Sequence, residues 1–214
     1  MTPGELAAKA ALTRPRIADE REAEILDAAV RVLAKVGYDR LTMDQVAAEA
    51  RASKASLYRH WSSKAELVVD AISRAKGLPD PEPPDTGSLR SDLRATWCGK
   101  TSWSSKLPMS VISGLMTAIH TDAEFGSAFR TRFLGPRLAS GYAIVNRAKQ
   151  RGEVSPEVDA DILLALLPAL SSHFGVIHGR EVDDAFIERL IDEVVLPVAR
   201  CNASPERGSG EAIS

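Results

Sequence analysis

Residues 37–67 read GYDRLTMDQVAAEARASKASLYRHWSSKAEL, and three hydroxyl residues punctuate the stretch. Thr42, Ser53 and Ser63 each precede a run of helix formers, and each carries an oxygen that can accept from the free backbone amides of a first helical turn. They predict helices over 43–50, 54–61 and 64–76. Val46, Ala47 and Ala50 make the inner stripe of the first, and Leu67, Val68, Ala71 and Ile72 that of the third. Upstream, Ile25, Ala29, Val32, Leu33 and Val36 recur at helical spacing from about residue 19 until Gly37, a residue suited to the position after a helix end. Four short helices therefore precede residue 78. Two of them, joined by a few residues and with the second polar and basic outside, have the plan of a helix-turn-helix.

The basic character is local. Net charge is −2 over 214 residues, which by itself points to no polyanionic partner. From 50 to 64, however, Arg51, Lys54, Arg59, His60 and Lys64 occur without one acid, a concentrated positive patch. Taken alone, such a patch is most often a solvated helix face; its place on the second short helix makes it a candidate for DNA.

The run 37–67 closely resembles the DNA-binding module of the TetR family of bacterial regulators. The resemblance rests on the Gly-Tyr exit from the first helix, Thr42, the Ala47-Ala48-Glu49-Ala50 helix, Ser53-Lys54-Ala55-Ser56, Leu57-Tyr58-Arg59-His60-Trp61, and Lys64. It implies a dimeric regulator, by family habit a repressor, on double-stranded DNA. Physical chemistry then divides the contacts. Thr42 and Met43 at one helix start, and Lys64 at another, suit phosphate oxygens. Tyr58 and His60 also offer donors to phosphates, whereas Lys54, Ala55 and Ser56 on the first turn of the recognition helix face base edges; Ser53 and Arg59 complete the set of DNA-binding candidates. Leu57 and Trp61 lie on the opposite side and read as core. One position departs from the family: the turn that usually holds glycine holds Arg51, so a non-glycine residue is expected at positive φ, reaching a phosphate or simply exposed.

The remaining organisation follows from prolines and periodicity. Residues 1–18 form an N-terminal arm, either laid along the minor groove or disordered. Residues 19–77 form the DNA-binding domain, and 78–88, with Pro79, Pro81, Pro83 and Pro84, a stiff linker. Helical patterns resume at 89–103, 108–121, 123–151 (kinked at Pro136), 156–178 and 183–200, and 201–214 reads as a disordered tail. The fold class is all-α, a three-helix helix-turn-helix domain followed by a helical-bundle effector and dimerisation domain.

Broad apolar stripes mark the last two helices. Ile162, Leu166 and Leu170 on one and Ile187, Leu190, Ile191, Val194 and Val198 on the other are candidates for a homodimer seam, or for the monomer's own core. A pocket between the middle helices has as candidate lining Trp97, Trp103, Met109, Ile112, Met116, Ile119, Phe129, Phe133, Tyr142, Leu170 and Phe174, with His120 or His173 as polar group. Such a lining favours an apolar or aromatic effector over a sugar or nucleotide.

Other classes find less support. The sequence has no G-x-S-x-G elbow, P-loop or His-Glu-x-x-His, and Cys98 and Cys201 stand far apart, so neither an enzyme nor a cofactor or metal is expected. His173 and His178, five apart, are expected on different helix faces. No run is expected to reach the length of a membrane helix, which places the chain in the cytoplasm. An architectural or recombinase-type DNA binder without an effector is the alternative; 126 residues beyond the linker are more than a DNA anchor requires.

Overall fold

The computed structural model describes residues 20–77, 82–99 and 109–201, apart from the side chains of Met109 and Ser110. Every regular element among them is helical: α1 (Glu20–Arg40), α2 (Met43–Glu49), α3 (Lys54–His60), α4 (Lys64–Ala75), α5 (Leu89–Trp97), α6 (Met109–Thr121), α7 (Ala123–Ala128), α8 (Gly135–Gln150), α9 (Ala160–Ser172), α10 (Asp184–Leu190) and α11 (Leu196–Ala199). The arm, the tail after Cys201, residues 78–81, Trp103 and Pro108 lie outside the described residues.

Caps set the N-terminal elements as the hydroxyls predicted. Thr42 and Gln45 form a reciprocal capping box at α2, Ser53 accepts from the Ser56 amide at α3, and Ser63 accepts from the Glu66 amide at α4. Inside α1 the backbone breaks at Gly37 (φ 76°, ψ 169°), a conformation essentially confined to glycine. Between α2 and α3 the Arg51 amide donates to the Ala48 carbonyl and the Ala52 amide to that of Ala47, a Schellman closure with Arg51 itself at φ 50°. Arg21 of α1 clamps this turn, donating to the carbonyls of Ala50 (3.2 Å) and Arg51 (2.8 Å).

Two cores divide the molecule, and their border does not follow the linker. The first joins α1–α4 to Val111, Ile112, Leu115 and Ala118 of α6 and to Phe125 and Ala128 of α7. The second joins Leu89 and Leu93 of α5 to Ile144, Val145, Leu163, Leu167, Ile187, Leu190 and Ile191. Residues 82–88 are held against the body: the Pro83 and Pro84 carbonyls accept from Arg147, and Thr86 donates through its amide and hydroxyl to Asp92, which Arg151 also meets at 3.1 Å. Burial alone would push the Asp92 carboxyl up, but these donors outweigh it and hold it below the usual range.

Three π turns interrupt the later helices: Phe129–Leu134, His173–Ile177 and Ile191–Val195. Gly135, His178 and Leu196 each donate to the carbonyl five residues back. Two of these turns run directly into Pro136 and Pro197, which have no amide for the fourth carbonyl back. Several expectations change as a result. α5 ends at Trp97, and α9 begins at Ala160, where Asp159 caps it. The π turn places His173 and His178 on one face, with their Nε2 atoms 3.1 Å apart, where an α-helix would separate them. Ile187, Leu190 and Ile191 are buried in the chain's own core, the second of the two alternatives for this stripe. Ala160–Ile177, against the reading of the sequence, is long and apolar enough to cross a membrane by length and composition. Its outward side explains that: Ile162 is 60% and Ile177 70% exposed, while Leu163 and Leu167 pack inward.

A left-handed arginine costs on the order of 1 kcal/mol relative to glycine. Arg51→Gly should therefore raise stability by about that amount, read as a higher urea midpoint at unchanged slope. An unchanged or lower midpoint would mean that the arginine side chain supplies compensating contacts.

Candidate DNA interface and adjoining cavity

Helix α3 displays its polar side because its other side is locked. Leu57 and Trp61 are buried, and the Trp61 indole donates to Asp70 of α4 at 3.0 Å. Lys54, Ala55, Tyr58, Arg59 and His60 are left exposed on one surface, with Ser56 half-buried and its hydroxyl 2.9 Å from that of Ser53. Thr42 and Ser53 are exposed caps at its edge. Met43 must be corrected: its side chain is buried, so only its backbone can meet a ligand. The structure thus gathers every other predicted contact residue around α3 and the starts of α2 and α4.

Electrostatics refine the roles. Lys54 pairs with Asp44 of α2 at 2.9 Å, and that hydrogen bond and charge hold the ammonium above its ordinary range. Asp44, a residue that sequence reading passed over, thus holds the Lys54 ammonium across from α2. Lys64 is anchored by the Tyr38 carbonyl (3.2 Å) and lies 4.1 Å over the Tyr38 ring, which orients it beside the exit of α1. His60 Nδ1 stands 3.8 Å from Glu22. Tyr38 also ties this unit to the body, its hydroxyl donating to Asp122, the cap of α7, at 2.8 Å. Burial and that carboxylate push the phenol well up; the Phe125 amide and the Tyr38 hydroxyl push the Asp122 carboxyl down.

Where α4 ends, a cavity of about 230 Å³ opens among α4, α5, α8 and α9. Leu89, Leu93, Trp97, Phe133, Ile144, Leu163 and Leu167 line it, together with Lys76, Gly77 and Arg137. A smaller one, about 30 Å³, adjoins it between α4 and α6 and is lined by Ile72, Ile112, Leu115, Met116, Ile119 and Phe129; Lys76 and Phe133 border both. The predicted lining is corrected accordingly. Trp97 and Phe133 reach the large cavity and Ile112, Met116, Ile119, Phe129 and Phe133 the small one. Tyr142, Leu170, Phe174, His120 and His173 reach neither. Tyr142 bonds Asp161, Phe174 packs on Phe186, and His120 is exposed. Trp103 and the Met109 side chain lie outside the described residues.

The charged groups of the cavity are two cations that sequence reading missed, and Thr96 and Ser140 add uncharged polar side chains to its lining. Arg137 donates to the carbonyls of Phe133 (2.9 Å) and Gly77 (2.6 Å), with its guanidinium 3.7 Å over the Phe133 ring. Burial pulls it down to about 10, so it stays charged at neutral pH. Lys76 is 6% exposed, and burial, helped by Arg137, pulls it down to about 8. A signal existed: Lys76 continues the inward i, i+4 series of Val68 and Ile72.

Comparison with known proteins bears on both parts. Residues 25–71 match the family model described as bacterial regulatory proteins, tetR family, and 83–194 match the tetracyclin repressor-like C-terminal domain. The chain is 38% identical over 185 residues to the DNA-binding transcriptional repressor TetR of Mycobacteroides abscessus, covering 86% of this chain and 97% of that protein. A crystal structure of a TetR family transcription regulator is similar at 27% identity and a TM-score of 0.55, over 83% of this chain and 97% of that one. The transcriptional regulator FadR of Bacillus subtilis, solved in complex with stearoyl-CoA, shares the fold at a TM-score of 0.56 and 15% identity, over 83% and 97%.

A buried ammonium at the cavity has a consequence for stability. The folded state lowers Lys76 from 10.5 to about 8, so it binds its proton less readily than the unfolded chain does. That penalty is full below pH 8 and fades as pH rises towards 10.5. Lys76→Met should stabilise the protein at pH 7 by about 1–3 kcal/mol, the gain shrinking across that alkaline window. A gain that is flat with pH, or a loss, would contradict the assignment.

Proposed function

The chain belongs to the TetR family of bacterial regulatory proteins and is a DNA-binding transcriptional regulator, and from that premise we propose that it represses transcription in the cytoplasm as a two-fold dimer on a near-palindromic operator, released by an apolar small molecule. Its role in this reading is regulatory and involves no catalysis. The observation that carries the DNA reading is the α3 surface, where Lys54, Ala55, Tyr58, Arg59 and His60 stand outward over a locked Leu57–Trp61 face. Lys54, Ala55 and Ser56 read base edges, while Thr42, Ser53, Tyr58, Arg59, His60, Lys64 and the Met43 backbone set register on phosphates.

The dimer reading rests on α9. Ile162, Leu166, Leu170 and Ile177 leave apolar surface outward on a helix whose other side already closes the monomer core, and Val194 and Val198 stay half-buried beside it. A second copy of the chain covers this face. Effector control rests on the large cavity, which touches Lys76 and Gly77 at the end of α4. A ligand that prefers one arrangement there biases α4 and with it the spacing of the two α3 helices. The FadR neighbour with its bound stearoyl-CoA is a precedent within this fold for small-molecule binding.

Selection of bound DNA from a random pool should return a palindromic consensus. Lys54→Ala should relax one or two positions of each half-site, a loss of roughly 1–3 kcal/mol of discrimination; an intact consensus at uniformly lower affinity would reassign Lys54 to phosphate. Sedimentation should give twice the 23.0 kDa chain mass at micromolar concentration. Because Ile162 is exposed, Ile162→Glu should yield a folded monomer with weakened operator binding, two linked half-sites becoming independent. A dimer that survives the change places the seam elsewhere.

A further inference from the structure

The large cavity sets two positive charges, Lys76 and Arg137, in a mostly apolar wall to which Thr96 and Ser140 add uncharged polar side chains. Arg137 has no acid within ion-pairing distance among the described residues: its partners are the Phe133 and Gly77 carbonyls and the Phe133 ring. A guanidinium carries five donors, and among the described residues its hydrogen bonds go to these two carbonyls. Lys76 lines the same space, and Arg137 pushes it further down. A guanidinium held out of water with no carboxylate beside it among the described residues is stabilised by an anion. A planar carboxylate suits a guanidinium best, because it can take two parallel bonds. Around these groups Leu89, Leu93, Leu163, Leu167 and Val195 offer nothing for further polar atoms, and only the uncharged Thr96 and Ser140 side chains add polarity to the described lining, so most of the rest of the molecule is hydrocarbon.

We propose that this cavity binds an apolar carboxylic acid whose carboxylate seats on Arg137 beside Lys76 and competes with the Gly77 carbonyl for the guanidinium. The inference rests on the ligand-responsive reading above and names the chemistry of its effector. The competition supplies a route to the DNA. Gly77 follows the last turn of α4, and its 2.6 Å bond to Arg137 fixes that end of the helix to α8. A carboxylate that takes over the donors frees it.

Titration calorimetry of the full chain with decanoate and with decanol, which share a chain length but not a charge, tests the site directly. Decanoate should bind at least tenfold more tightly than decanol at pH 7. Arg137→Gln should bring the two close to equal, Arg137→Lys should keep part of the preference, and in the wild type the preference should narrow as pH rises past 8 and Lys76 sheds its proton. Equal affinities, no decanoate binding, or an undiminished preference in Arg137→Gln would overturn the proposal; if that variant does not fold, the wild-type pair and its pH profile still decide. DNA binding measured alongside separates the two readings. A charge preference without DNA release supports the carboxylate site and counts against effector control, whereas release by decanol as readily as by decanoate upholds effector control and overturns the carboxylate site.

Discussion

Helix α4 has almost no side left for solvent, and the rest of the structure is arranged around that fact. Ala65, Leu67, Val68, Val69, Ala71, Ile72 and Ser73 are all buried along its 12 residues. Its apolar surface is shared among α1, the α7 region and the π turn that follows. At its middle, Asp70 accepts from the Trp61 indole and so holds the end of α3; burial raises that carboxyl despite Arg132 nearby. At its far end, Lys76 and Gly77 form part of the cavity wall. A close-packed rod of this kind transmits displacement instead of absorbing it, so α4 links the end of α3, held through Trp61, to the wall of the cavity.

The body is shaped to meet that rod by its interrupted helices. A straight helix through 123–151 would carry a regular ladder past Pro136, but proline cannot donate to the Arg132 carbonyl. The helix widens into a π turn, and the residues after it are rotated relative to those before. Phe133 and Arg137 flank the bend, one a wall of both cavities and the other stacked on it with its donors towards α4. The same widening after α9 brings His173 against His178. Each insertion changes which residues share a face, and that change is what gives the cavity a cationic corner.

Charge elsewhere acts mainly as positioning. The pair Lys54–Asp44 is exposed and adds little stability, yet it holds the first side chain of α3 in a defined place. Arg90–Asp192 and Arg94–Glu188 tie α5 across to the last helical segments. Tyr38–Asp122 does the same between α1 and α7. Together with the apolar contacts of α6 and α7, that bond makes the N-terminal unit part of a core that extends past the linker.

Local chemistry was largely legible in the residues themselves. Hydroxyl caps, the helix stop at Gly37 and the inward set of Leu57 and Trp61 could be read from neighbouring residues, and the positive φ of Arg51 from the family resemblance, so the helix-turn-helix and most of its outer face could be read before any coordinates. What lay beyond was decided by partners distant in sequence. A stripe such as Ile187, Leu190, Ile191, Val194 and Val198 reveals that a face is apolar but not which surface covers it, and three of the five proved to close the chain's own core. Met43 turned inward for the same reason. Aromatic residues were the natural guess for a cavity, yet hydrophobic side chains tend to fill space, and Phe174 does so against Phe186. The cavity's character came instead from Lys76 and Arg137, two cations 61 positions apart in sequence. Only the packing of α4 against the bend before α8 brings them together, because burial of a charge is a property of the assembled fold and not of the residue.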